Sequence, residues 1–213
     1  MKIAVIQPNF FPFKAYYDLA QRVDKLIFLD DTFYNNKHWV NKTILKLNSS
    51  NYYFRIPVDH VDGSSVLVKD IKAKDNKWKK KFLKFVKVQY KNSINFNSVF
   101  PTIEEIVNLP TDSVAHIAAY SVFRFSSLLG FKTEFSLSSI KYGNIKRSMS
   151  EKILQICNKE KAKTYYTLMK NRGTFDERKF LSSGIRVSFF TSYSEKYSII
   201  DDLMTNHSYT NLF

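Results

Sequence analysis

Apolar positions along this chain follow two rhythms, short unbroken runs and longer stretches spaced three or four residues apart. The run KIAVIQ, Lys2 to Gln7, is β-branched and apolar on both faces, which predicts a central strand covered from two sides. Phe13 to Val23 then takes helical spacing, and KLIFLDD, Lys25 to Asp31, is a second apolar strand that ends in two acids. Strand, helix, strand in that order predicts a right-handed parallel βαβ unit. An irregular aromatic and basic segment, TFYNNKHWVNKTILK, is followed by NYYFRIPVD, whose β-formers suggest another strand.

Farther on, KWKKKFLKFVKVQY places Trp78, Phe82, Phe85 and Val86 on one helical face and Lys79, Lys80, Lys84, Lys87 and Lys91 largely on the others. Such a helix is either an ordinary solvated surface or a docking face for an anion. Asp112 to Leu129 predicts a longer helix stopped by Gly130, with His116, Tyr120 and Arg124 on one stripe that packs against a neighbouring loop or faces a ligand, the loop being the first expectation. The last third repeats the alternation: helix Ser148–Cys157 with Ser148 and Glu151 in capping-box spacing, strand AKTYYTL, helix Phe175–Ser183, then strand IRVSFF. The pattern predicts one three-layer α/β domain over residues 1–213 with a mainly parallel sheet, Rossmann-like or nucleotidylyltransferase-like.

Composition narrows the setting. A hydrophobic share of 44% and a charged share of 24% are those of a globular chain, and no stretch is long and apolar enough to span a membrane. The apolar run after Lys2 stops at Gln7, too short for a signal-peptide core, and Cys157 stands alone, so no internal disulfide forms. A cytoplasmic address is the expectation. The net charge of +14 raises the local concentration of anionic partners without choosing among them.

In a parallel sheet ligands gather beyond the carboxyl ends of the strands. Gln7 and Asn9 fall there, with Pro8 and Pro12 stiffening the turn and Phe10 and Tyr16 offering flat surface. Asp30 and Asp31 end the next strand at the same edge, where a free carboxylate would be a general base or would hold an amine. Tyr34, Lys37, His38, Trp39, Asn41 and Lys42 follow in a dense polar loop, with His38 a rival base. Walker A, GxGxxG, paired CxxC, HExxH and GxSxG patterns are absent, so neither a metal site, a P-loop nor a serine hydrolase is expected.

The runs KIAVIQPNFFPFKAYYD, FLDDTFYNNKHWVNK, SEKILQICNKEKAKTYY and SIIDDL together resemble the WbqC-like family of small bacterial proteins associated with O-antigen and other surface-polysaccharide biosynthesis. Gln7, Pro8, Asn9, Phe10, Pro12, Tyr16, Asp30, Asp31, Tyr34, Trp39 and Asn41 match the family pattern. Phe13, Ala15, Phe33 and Lys42 depart from it, and TLMKNRG stands where a Ser-Gly loop is expected.

The resemblance implies transfer of an aminoacyl or other acyl group to the amine of a nucleotide-linked aminodeoxy sugar. No cofactor would be tightly bound, and the donor would be acyl carrier protein, a coenzyme A thioester or an aminoacyl donor. In that reading Asp30, Asp31 or His38 handles the amine, Gln7 and Asn9 hydrogen-bond substrate, Trp39 and Tyr34 stack, and Lys37 and Lys42 hold phosphates. Nucleotidyl transfer is the alternative, disfavoured because no histidine precedes His38. A nucleic-acid-binding module ranks third, because the aromatics recur at core spacings.

Overall fold

The computed structural model describes residues 1–35, 39–47, 50–59, 66–143, 148–192 and 197–207. Its centre is a sheet of β1 (Lys2–Ile6), β2 (Lys25–Phe28), β5 (Glu134–Leu137), β6 (Thr164–Leu168) and β7 (Arg186–Phe190). The spatial order is β5-β2-β1-β6-β7, and every neighbouring pair is parallel. The chain begins in the middle at β1, steps outward through β2 to β5, then returns to the other flank of β1 for β6 and β7. Strand order therefore reverses between β1 and β6, the switch point of a doubly wound sheet.

Pleating explains why the inner strands read as unbroken apolar runs. Ala4, Leu26 and Phe28 pack into one cluster while Ile3, Val5, Ile27 and Leu29 pack into another on the opposite face. The first cluster is shared with α1 (Ala15–Gln21), α2 (Lys77–Tyr90), α3 (Phe96–Val107), α4 (Val114–Leu128) and α8 (Ile199–Thr205). The second is closed by α6 (Met149–Lys159) and α7 (Glu177–Ser182) through Ile153, Ile156, Cys157 and Phe180. A short helix α5 (Ser138–Lys141) follows β5 directly. These are the three layers the pattern predicts.

Capping fixes several helix starts. Ser148 Oγ accepts from the Glu151 N–H at 3.4 Å and donates to the Glu151 carboxylate at 2.9 Å, so the two residues read in capping-box spacing meet at the start of α6. Ser113 caps α4 by accepting from His116 N–H. Tyr120 and Arg124 meet Glu105 of α3, the hydroxyl at 2.5 Å and the guanidinium through two bonds of 2.7 and 2.6 Å, so the polar stripe joins two helices. That contact and the hydrogen bond from Tyr120 hold the Glu105 carboxyl down at about 2.

Outside the parallel sheet, β3 (Lys42–Leu47) and β4 (Ser50–Arg55) pair as an antiparallel hairpin. The hairpin and α2 enclose an aromatic core: Phe10, Phe11, Phe54, Trp78 and Phe82 meet at centroid distances of 4.6 to 6.5 Å. Asp201 of α8 anchors this region, accepting at Oδ1 from the Tyr90 hydroxyl and from Lys46 N–H, while Oδ2 is buried with no hydrogen-bond partner among the described residues.

Burial, helped by neighbouring Asp202, pushes the Asp201 carboxyl up to about 6 from an ordinary 3.8. An acid whose pKa rises on folding favours the fold most below its unfolded pKa, and the contribution is lost as pH climbs through the folded value. Asp201→Asn is therefore expected to gain about 1–3 kcal/mol over the parent protein at pH 7.5. The gain should vanish near pH 4, as read by urea unfolding; an equal difference at both pH values would show that charge is not its cause.

Candidate functional site

The turn after β1 is built around a backbone that few side chains adopt. Phe11 sits at φ 42°, in the left-handed region, and its ring is fully buried. Ser121 Oγ of α4 accepts its N–H at 3.2 Å, and Thr43 Oγ1 of β3 donates to its carbonyl at 2.9 Å. Pro12 O accepts from Ile199 N–H at 3.0 Å, so α8 also grips the turn. Three elements thus hold a conformation that the local sequence would not choose, an arrangement found where geometry serves a site.

At the head of that turn, Asn9 is 7% exposed and its Oδ1 accepts no hydrogen bond among the described residues. A buried carbonyl left without a donor costs the fold free energy unless something else supplies one. Gln7 is half-buried, its Nε2 donating to Thr32 Oγ1 at 3.4 Å and its carbonyl accepting from Tyr16 Oη at 3.0 Å. Burial drives the Tyr16 phenol far above its ordinary range, so it serves there as a donor. Gln7, Asn9 and Tyr16 stand together at the carboxyl end of β1, as the sequence predicts.

Asp30 and Asp31 reach the same edge, but neither is a free acid. Asp30 is fully buried and accepts from Ser138 Oγ at 3.2 Å, Ser139 N–H at 2.9 Å and Ser139 Oγ at 2.5 Å, which fastens the end of β2 to the start of α5. Asp31 also accepts from Ser138 Oγ, and its Oδ2 lies 2.5 Å from Lys152 Nζ, which donates in addition to the Asp31 carbonyl at 3.1 Å. The side chains of that pair are 5% and 1% exposed. In place of the free carboxylate that the sequence predicts stands a cluster of two acids, two serines and a lysine, because the edge of β2 is covered by α5 and α6.

The loop residues divide. Tyr34 and Asn41 are buried and form a strut, the Tyr34 hydroxyl donating to Asn41 Oδ1 at 3.2 Å and Asn41 Nδ2 to Ile56 O at 2.9 Å. That geometry commits the Tyr34 ring to the interior, where it is not available for stacking. Phe10 likewise belongs to the aromatic core and not to a binding surface. Trp39 is 38% exposed and its carbonyl accepts from Phe10 N–H at 3.3 Å, so a partly open indole is tied to the turn. Lys42 is half-buried, and burial together with nearby Arg55 holds its ammonium below the ordinary lysine range. Lys37 and His38 lie outside the described residues.

Across the switch point, the end of β6 supplies residues that motif reading set aside. TLMKNRG, which stands where the family pattern has a Ser-Gly loop, leaves β6 through a single 3-10 turn, Met169–Asn171, at the position where a doubly wound sheet receives its ligand. Asn171 Nδ2 donates to Thr167 Oγ1 at 2.9 Å. Lys170 and Arg172 are exposed, their charges 5.8 Å from the Phe13 ring and 5.6 Å from the Phe189 ring, and neither meets an acid among the described residues. Two features mark the overlooked residues: a polar, basic turn that directly follows a buried strand, and a lysine at position 152 on the same stripe as Ile153 and Ile156. Among the described residues no group of three or more His, Cys, Asp or Glu is placed to hold a metal, and no helix is long and apolar enough to cross a membrane.

The model of the WbqC-like protein family matches residues 7–208 of this chain. Among curated proteins, the uncharacterized protein Rv1507c of Mycobacterium tuberculosis (strain ATCC 25618 / H37Rv) is 23% identical over 190 residues, covering 89% of this chain and 81% of the relative. No solved structure matches.

Proposed function

The chain belongs to the WbqC-like protein family, and from that premise we propose that it is a sugar-modifying transferase of surface-polysaccharide biosynthesis, acylating the amine of a nucleotide-linked aminodeoxy sugar. The observation that carries this reading is the buried, unpartnered Asn9 carbonyl at the β1–β6 switch point. It is an acceptor, so the group that completes it is a donor, as a sugar amine or hydroxyl is. Lys170 and Arg172 on the facing turn suit the phosphates of the same ligand, and half-open Trp39 suits a sugar or base face.

In the step itself the sugar amine attacks the donor carbonyl, a C–N bond forms, and the C–S or C–O bond to the carrier breaks. The amine proton passes to a base and then to the leaving group, with His38 the candidate for that relay. Gln7 Nε2, which donates to Thr32 Oγ1 in the free protein, is the candidate amide donor for the developing oxyanion. Asp30 and Asp31 act by fixing the edge beside the amine site through Ser138, Ser139 and Lys152.

Incubation of the protein with a nucleotide-linked aminodeoxy sugar and each of the three donor types, followed by mass spectrometry, tests the reading. A mass gain equal to the acyl group is expected with one donor. No gain with any of them would end the transferase assignment.

A further inference from the structure

The outer face of α2 takes no part in the site described above, yet it carries a dense run of like charge. Between Asp75 and Glu104 the sequence contains no acid, while lysines occupy positions 77, 79, 80, 81, 84, 87 and 91. Lys79 donates to Leu109 O at 2.9 Å. The other six are exposed and form no ion pair among the described residues. Their spacing of three or four residues aligns the ammonium groups into a ridge about 20 Å long. Val88, 66% exposed, lies on the same ridge.

Two observations separate this ridge from ordinary solvation. The first turn of α2 carries Lys77, Lys79 and Lys80 and no acid, Asn76 makes no side-chain cap, and the one nearby carboxylate, Asp75 just before the helix, accepts from the Lys77 N–H at 2.7 Å. Positive charge there opposes the helix dipole, so selection for stability alone would not have placed it. The buried face of the same helix presses Trp78 and Phe82 against Phe10 and Phe11, at centroid distances of 5.3 to 5.8 Å. The helix that bears the ridge therefore packs, by its other face, on the turn that follows Asn9.

We infer that this ridge docks an acidic carrier protein that brings the acyl group as a thioester, an inference that rests on the transfer reading above. Carboxylates along an acidic helix repeat at the same spacing as the lysines, and an isolated valine among them gives short-range fit to a flat protein surface. A nucleic acid fits less well: α2 has no arginine, and its aromatics are buried or, for Phe85, stacked on Tyr52 at 3.9 Å. An anionic membrane fits less well too, because Val88 alone offers little to insert.

Fluorescence anisotropy with labelled acyl carrier protein tests the inference on the full chain, comparing the parent protein with Lys80→Glu/Lys84→Glu/Lys87→Glu and with the milder triple change to Gln. The Glu variant should bind at least about tenfold more weakly and the Gln variant should fall between, with a shallower salt dependence for both. Transfer from a pantetheine thioester, which needs no docking, should be the same in all three. Equal carrier affinity across the three proteins, or tighter binding of duplex DNA or anionic vesicles than of carrier at the same ionic strength, overturns the inference. Charge-dependent carrier binding with no transfer from either donor keeps the docking surface and removes the reaction assigned to the site.

Discussion

Lys152→Met is expected to destabilise the fold by about 3–5 kcal/mol, because it strips the counter-charge from a carboxylate that has no route to water. Lys152 and Asp31 are 4% and 8% exposed, and the ammonium also satisfies the Asp31 carbonyl. Ser138 is left as a neutral donor to Asp31, insufficient for a buried charge. Adding Asp31→Asn removes the stranded charge while keeping an acceptor for Ser138, so the double variant should recover most of the loss. Urea unfolding of the two single variants and the double variant gives the coupling directly. Additive losses, or a loss under 1 kcal/mol for Lys152→Met, would mean that the pair does not hold the sheet edge.

That lysine also shows how far the sequence could be read. The parallel strands are legible because strands buried on both faces become unbroken apolar runs, as in KIAVI and KLIF, and because Ser148 and Gly130 mark helix ends. The β2 run reads on to Asp31, but pairing stops at Phe28, since Asp30 and Asp31 turn to the serines of α5. Strand β5 does not show in the sequence because an edge strand of four residues, one exposed and three half-covered, has no run to display. Helix α3 went unseen because Pro101 lies inside it; packing of Val99, Ile103 and Ile106 overrides that local signal.

The site divides in the same way. The QPN turn and the acids could be placed at one edge from the strand endings alone, whereas the occupation of those acids depends on Ser138 and Lys152, which lie 107 and 121 residues away in sequence. No local pattern reports a partner at that separation. Likewise the role of Phe10 and Tyr34 as interior groups depends on the hairpin and on α2, which fold over them from later in the chain.

Asn9→Leu is expected to move stability and activity in opposite directions, which separates a packing role for this amide from a ligand role. Leucine has nearly the shape of asparagine and removes a buried acceptor that has no partner among the described residues, so the unfolding free energy should rise by about 1 kcal/mol. The same change deletes the acceptor proposed for the substrate amine. A hydrogen bond to a charged group contributes about 1.5–3 kcal/mol, so kcat/KM should fall by about tenfold to a hundredfold. Phe11 and its holders Ser121 and Thr43 are untouched, so the turn keeps its shape and the loss can be read as chemistry. If Asn9→Leu instead loses stability and keeps its transfer rate, the amide serves the fold and the ligand site must be sought on the β6 side of the switch point.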